Sequence, residues 1–449
     1  MYKNVYISAL QHFWVSGELL SVLPHELIQV LDVVKKHNTW RRHETINLIA
    51  SENVMSTLAE LVYTCDMKHR YAEGLPGERY YQGTKYVDEI EILTQRLMSK
   101  LLSIRFVEPR ATSGTVANAI AFSALAKPGD VAAVTSIQAG AHISHTQYGL
   151  LGSLGLKQVE MPFDVDRWNI DIDAAIKIIE NAKPKIVVLG ASTYLFPHPT
   201  KELADAVHSI GGFVVHDVAH VLGLIAGGTW PNPVHEGADV ATASTHKTFP
   251  GPQGGVLFTS SEAVYRRISR NVLKFVSNHH LHRLPALAIT TIEMMYFGES
   301  YARQIIKNSR KFAESLAAEG FNVVAEHLSY TRSHIVLVDI SRICPASKAA
   351  KLLEEANIIA NKNLLPQDVL NPDNPSGLRF GVQEMTRYGM KESDFEEVAK
   401  FIKEVLIEKK NPAEVKRKVI EFRRQFTDVR YCFNVPRELH KELTLNLEF

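Results

Sequence analysis

Cysteine is nearly absent from this chain: Cys65, Cys344 and Cys432 are the only 3 among 449 residues. Scattered and odd in number, they exclude a disulfide framework and a cysteine zinc site, and they fit a reducing cytoplasm. Excess charge of either sign is lacking too. Lys and Arg number 50 against 49 Asp and Glu, a net +1, so nothing in the balance points to nucleic acid. No apolar run is long enough to suggest a membrane span. The first twenty residues have apolar stretches but no basic lead and no small-residue cleavage site, and they read as an arm or helix and not as a signal peptide. Repeats and low-complexity segments are missing. What remains is an ordinary globular composition, 45 % hydrophobic, in a chain long enough for two domains.

Residues 24–40 carry Leu27, Ile28, Val30, Leu31, Val33 and Val34 at helical spacing. Residues 70–88 change character, with 3 glycines and 4 tyrosines, a mixture that lines sites and interfaces more often than cores. Helical spacing returns at 89–102. From 106 to 260, β-rich apolar runs at 131–135, 186–189, 213–216, 240–244 and 256–258 alternate with helical patterns at 116–126, 172–181 and 202–210. Such βαβ repetition predicts an α/β fold, a mostly parallel sheet flanked by helices, with ligands beyond the carboxyl ends of its strands. Residues 261–320 read as long helices leading to a smaller C-terminal α+β domain. That domain has strands at 335–340 and 358–360 and helices at 348–355 and 394–406, and an amphipathic helix at 412–426 closes the chain. The division is therefore an N-terminal arm with helices over 1–45, a large domain over 46–300 and a small domain over 301–449.

The chemistry concentrates at strand ends. Lys247 follows the β-branched run 240–245, in a Pro/Gly turn that can form neither helix nor ladder. An amine fixed on a rigid strand end beside glycine-lined space is what a Schiff-base lysine requires. Taken alone, the segment fits a surface lysine in a hairpin loop equally well. Asp217 ends the run Gly211-Gly212-Phe213-Val214-Val215-His216-Asp217, again at a strand's carboxyl end. There it can keep a pyridine nitrogen protonated, which makes the ring of pyridoxal phosphate an electron sink; an isolated aspartate is more often a helix cap. Ser113-Gly114-Thr115 opens a helix and offers free N–H groups and hydroxyls to a phosphate, although Ser-Gly is also a common N-cap. His142 follows the next strand, where an imidazole can stack on a ring, and His220 can reach a phenolic oxygen or be a satisfied core histidine. Arg379, on a short strand of the small domain, can hold a substrate carboxylate with its fork or make a surface ion pair. His279, His280 and His282 lack the spacing of a metal site, and packing or polar substrate-side roles are the better reading.

Together these segments resemble serine hydroxymethyltransferase, a pyridoxal-phosphate family of fold type I, over residues 27–432. The resemblance is carried by Leu48-Ile49-Ala50-Ser51-Glu52-Asn53, by Tyr71 to Tyr81, and by Ser113-Gly114-Thr115-Val116-Ala117-Asn118. It continues through Asp217-Val218-Ala219-His220, Thr245-His246-Lys247-Thr248, Asn361-Lys362-Asn363 and Gly377-Leu378-Arg379-Phe380-Gly381. Residues 192–199, with Phe196-Pro197-His198-Pro199, and 277–282 look like its archaeal branch. The resemblance implies Lys247 as the Schiff-base lysine, Asp217 as partner of the pyridine nitrogen and His142 as the stacked imidazole. It gives His220 the phenolic oxygen, Ser113, Gly114 and Thr115 the phosphate, and Ser192 and His246 further cofactor contacts. Ser51, Tyr81 and Arg379 would hold the amino acid, and Glu73 and Asn363 the pterin, with Glu73 also moving protons. Tyr71 would reach the neighbouring subunit's phosphate, which implies a homodimer with shared sites.

The implied reaction converts serine and a reduced pterin, tetrahydrofolate or a methanopterin-type carrier, to glycine and methylene-pterin in the cytoplasm, with no nucleic acid, membrane or metal. The alternatives are a pterin-independent aldolase for threonine or another β-hydroxy amino acid, and a non-catalytic relative that only binds. The last would be expected to lose Lys247 or Asp217. Pro250 and Gln253 stand where much of the family has arginine, which removes positive charge near the site.

Overall fold

The apolar runs pair into one sheet in a computed structural model of the chain, which describes residues 23–369 and 375–436 together with 438, 441 and 442. The N-terminal stretch read as an arm lies, for residues 1–22, outside the described residues. Seven strands, β1 Phe106–Glu108, β2 Val131–Val134, β3 Lys157–Glu160, β4 Ile186–Leu189, β5 Phe213–Asp217, β6 Val240–Ser244 and β7 Gly255–Thr259, lie in the order β1-β7-β6-β5-β4-β2-β3. All pairs are parallel except those of β7, which runs antiparallel to β6 and to β1. Only β1 and β3, the two edges, escape a reading of apolar runs, because an edge strand needs no continuous apolar sequence. Lys157-Gln158-Val159-Glu160 has three polar residues of four for that reason.

Alternation along the central strands divides the core in two. Val188 and Val215 pack with Ile120 and Phe122 on one face, and Val187, Leu189 and Val214 pack with Ile179, Leu203 and Val207 on the other. Helices therefore cover both faces, as the fold class predicted. The helix Gly114–Leu125 lies against β6 and β7, and Glu262–Asn271 packs on it.

A second sheet, antiparallel throughout, has β8 Asn322–Val323, β9 Ile335–Asp339, β10 Asn361–Asn363 and β11 Gly377–Gly381 in the order β8-β9-β11-β10. The 36-residue helix Arg283–Ala318 connects the two halves, packing on Lys85–Leu102, Thr57–Tyr63 and Glu392–Leu406. One long-range pairing could not be read from sequence. Ile46–Asn47 pairs in parallel with Ile358–Ile359, and Gly381 N donates to Leu48 O at 2.7 Å. Residues 46–48 are thus stitched to the C-terminal half, and residues 49–53 leave that seam toward the large sheet. No described helix is long and apolar enough to cross a membrane.

Candidate functional site

β5 and β6 run in parallel with Asp217 opposite Thr242, so both strands end at the same edge of the sheet. Asp217 is the last residue of β5, and Lys247 lies in the β6–β7 turn, three residues past Ser244. Both line a cavity of about 180 Å³ together with Ser113, Gly114, His142 and Ser244. Gly190, directly after β4, has φ +97°, and a Cβ there would lie 1.9 Å from the Asp217 carbonyl oxygen. Only glycine lets the end of β5 pass so close.

Asp217 Oδ2 accepts from Asn118 Nδ2 at 2.8 Å and lies 2.9 Å from His145 Nε2, while Oδ1 accepts from Ala219 N at 2.9 Å. Burial alone would raise the pKa of this carboxyl, but the His145 hydrogen bond, the nearby Lys247 and the Asn118 amide override it and hold the group well below the usual carboxylate range. The carboxylate is ionised. Lys247 shows the complementary effect: burial lowers its ammonium to about 8, with Asp217 opposing the shift and Arg379 adding to it. Its backbone is held by Asn53, whose Nδ2 donates to Lys247 O at 2.5 Å and to Tyr301 Oη at 2.9 Å. His142 is a neutral imidazole. Burial, reinforced by His145, lowers it to about 4, and its Nδ1 accepts from Ser144 N at 3.2 Å.

The opposite wall is a helix start. Ser113 caps Gly114–Leu125, its Oγ accepting from Val116 N at 3.1 Å. The N–H groups of Gly114 and Thr115 bond no protein group among the described residues. A Cβ on Gly114 would meet Ser244 Oγ at 2.5 Å, so the backbone itself forms that wall. Two free N–H groups at a helix N-terminus suit a phosphate, an ionised carboxylate suits a protonated pyridine, and a lysine near pKa 8 suits an aldehyde. The donor set fits pyridoxal phosphate.

Arg379 comes from the second sheet. It is buried, its Nη1 donates to Ser192 O at 2.7 Å, and its Nε donates to Asn361 Oδ1 at 3.2 Å. No carboxylate pairs with it among the described residues, and burial alone lowers it to about 10. His220, also buried, has its Nδ1 3.3 Å from His334 Nε2. His246 lines the Lys247 cavity and also an adjoining one of about 790 Å³, which it shares with Ser51, Glu52, Asn53, Gln253 and Glu384. Ser192 lies at a third cavity, of about 310 Å³, with Gly140 and Asn363, and Asn363 Nδ2 donates to Thr193 Oγ1 at 3.1 Å.

Tyr71, Glu73 and Tyr81 do not line the Lys247 cavity of their own chain. Tyr71 and Tyr81 are exposed, with ring centres 4.9 Å apart, and Glu73 is half-buried. Their segment is anchored by the buried Arg79, which donates to Asp88, Glu91 and the carbonyls of Ala72 and Gly74. His279 lies 3.0 Å from Glu91 in the same cluster, a packing role, and no group of three potential metal ligands occurs among the described residues.

Sequence reasoning passed over Asn53, Asn118, His145 and His334. Asn118 carried a usable signal, being a lone amide in a helix otherwise made of small and apolar residues, where a buried polar group must find a partner. His334 carried none, since 114 residues separate it from His220.

The family model for serine hydroxymethyltransferase matches residues 23–402. A serine hydroxymethyltransferase of Saccharolobus islandicus is 57 % identical over 429 residues, covering 95 % of this chain and 99 % of that one. Those of Sulfolobus acidocaldarius and Staphylothermus marinus are 57 % and 55 % identical, covering 92 % and 93 % of this chain and 95 % and 96 % of theirs. Among solved structures, the L-threonine transaldolase of Pseudomonas fluorescens, in its internal aldimine state, superposes with a TM-score of 0.86 at 26 % identity, covering 100 % of both chains. A lysine and an ionised aspartate at adjacent strand ends, a phosphate-ready helix start and these likenesses all agree: the chain belongs to the serine hydroxymethyltransferase family.

Proposed function

We propose that this enzyme moves the hydroxymethyl carbon of serine to a reduced pterin, leaving glycine, with pyridoxal phosphate as cofactor. The observation that carries the reading is that Lys247, lowered to about 8, and the ionised Asp217 line one cavity whose far wall is a free helix N-terminus. Bound there, pyridoxal phosphate supplies an aldehyde for the substrate amine and a ring that takes up the electrons of the breaking Cα–Cβ bond.

The chain's own residues do the rest. Lys247, lowered to about 8, gives up its proton far more readily than an ordinary lysine and so offers a neutral amine. Asp217 stays anionic and keeps an N–H opposite it protonated. Ser113, Gly114 and Thr115 hold the phosphate, and His142, neutral, covers a ring face without adding charge. Arg379, buried and without a carboxylate of its own, takes the substrate carboxylate with the N–H groups left after Ser192 and Asn361 are served, and Ser51 helps orient it. His220 meets the phenolic oxygen, and Ser192 and His246 border the cofactor. Asn363, at the mouth between the halves, contacts the pterin.

The remaining residues act across a homodimer interface. Tyr71, Glu73 and Tyr81 would enter the site of the other subunit, Tyr71 at the phosphate, Tyr81 at the amino acid, and Glu73 moving a proton at the serine hydroxyl. Two features support a dimer: the exposed tyrosines of this segment, and the helix His25–Thr39, which buries none of its residues and exposes Leu27, Val30, Val33 and Val34. The enzyme would work in the cytoplasm.

The test is serine cleavage with and without tetrahydrofolate and a methanopterin-type pterin, in wild type and Glu73→Gln. One-carbon transfer predicts pterin-dependent cleavage that Glu73→Gln reduces by at least roughly a hundredfold, the lower range for general acid–base catalysis. Cleavage of allo-threonine without pterin should persist within about tenfold, a barrier change under roughly 1.4 kcal/mol. The likeness to a threonine transaldolase favours a second reading, a pterin-independent aldolase for β-hydroxy amino acids. Serine cleavage indifferent to every pterin, or equal loss of both reactions with the dimer intact, would decide for it.

A further inference from the structure

We propose that His334 fixes the tautomer of His220, so that the free edge of His220 is an N–H donor. The argument needs only the contacts of three groups. His334 Nε2 lies 3.3 Å from His220 Nδ1 and 3.1 Å from the carbonyl oxygen of Ala50. The two ring planes differ by 20°, and their centres are 5.5 Å apart, much farther than the nitrogens. The rings therefore meet edge to edge, as a hydrogen bond between ring nitrogens requires, and not face to face.

Both rings are buried, and burial keeps both neutral, His334 at about 3 and His220 well below the ordinary histidine range. A neutral imidazole has one N–H. Were the His334 proton on Nδ1, it would be stranded, because that atom is sealed in the core with no partner. Its Nε2 lone pair would at the same time face the Ala50 oxygen, acceptor against acceptor. With the proton on Nε2, a single N–H serves both the Ala50 oxygen and His220 Nδ1, and only an acceptor is left unpaired at Nδ1, the milder of the two defects.

His220 Nδ1 must then be the acceptor, since two N–H groups cannot point at each other. The His220 proton is on Nε2. That atom bonds no protein group among the described residues and is not one of the sealed unpartnered atoms, so its N–H is available to a ligand. The group it takes is a hydrogen-bond acceptor such as a phenolic oxygen. This last step rests on the proposed reading of His220 as the partner of the cofactor's phenolic oxygen. His334 immediately precedes β9 and Ala50 follows the 46–48 seam, so the donor is set only when the C-terminal half is docked on the large sheet. His334 is a positioning residue.

Neutron diffraction from crystals of the perdeuterated holoenzyme reads the tautomers directly. The expected result is deuterium on Nε2 of both His220 and His334 and on neither Nδ1. Deuterium on Nδ1 of His220 overturns the proposal, and this measurement needs no variant. Absorption spectra of the bound cofactor supply the second arm. His334→Leu should move the visible band as His220→Leu does, while His334→Gln, which keeps a side-chain N–H, should restore it. With His334→Leu, kcat should fall about 10–100-fold, the scale for groups that orient an imidazole, with little change in KM for serine. A band unmoved by His334→Leu but moved by His220→Leu overturns the tautomer lock. A band moved by neither overturns the assignment of His220 to the cofactor oxygen, and the deuterium positions then decide the tautomer by themselves.

Discussion

Replacing Arg379 by alanine tests the site where charge is most exposed to error. The guanidinium has five N–H groups. Two of its nitrogens are committed, Nη1 to Ser192 O and Nε to Asn361 Oδ1, and no carboxylate of the chain neutralises it among the described residues. A ligand carboxylate arriving there makes a desolvated charge pair, and deleting one partner of such a pair costs about 2–5 kcal/mol, which is roughly 30- to 5000-fold in affinity. The assay is spectrophotometric titration of the holoenzyme with glycine and with methylamine, which is glycine without its carboxylate. Wild type should bind glycine far more tightly, and Arg379→Ala should collapse the difference by weakening glycine alone. Arg379→Lys should fall between, since an ammonium is a point donor that cannot replace the fork. The substitution strands two acceptors but also removes a buried charge, so the melting temperature should change little. Equal weakening of both ligands would show that Arg379 only shapes the loop around Ser192. An unchanged ratio would place the carboxylate elsewhere.

Two further results follow from the buried charges. Lys247 has its pKa lowered to about 8, so the disfavoured form is the ammonium, and the neutral amine dominates only above that pH. The rate at which cofactor-free protein captures pyridoxal phosphate should climb about tenfold per pH unit below 8 and level off above it; a rise continuing to pH 10 would mean an ordinary, solvated lysine. The buried Arg79 pairs with Asp88 and with the fully buried Glu91, beside which His279 and Arg110 stay when Arg79 is removed. Arg79→Ala should therefore cost no more than about 3–5 kcal/mol in denaturant unfolding, the scale for breaking one buried pair. Arg70→Ala, which removes only the exposed pair with Asp66, should change little, and equal effects from the two would refute a special role for the buried cluster.

Local pattern alone determined the sheet's interior. The runs at 186–189 and 240–244 are the observed strands β4 and β6, because a strand buried on both faces must be apolar along its length, and that is visible residue by residue. The same logic placed Asp217 and Lys247 at strand ends, where apolar sequence gives way to a charge. The sequence likewise marked residues 70–88 as unsuited to a core, and Tyr71, Tyr80, Tyr81 and Tyr86 are exposed. Only the tertiary structure decided which groups act on those charges. Asn118 and His145 lie 99 and 72 residues before Asp217, yet they set its ionisation. The pairing of Ile46–Asn47 with Ile358–Ile359 joins segments some 312 residues apart in register. The tautomer of His220 depends on a ring 114 residues away. Burial is encoded by each residue's own apolarity, and a sequence displays it. A hydrogen bond depends on two atoms within about 3 Å and correctly aimed, and that is settled by how distant segments pack.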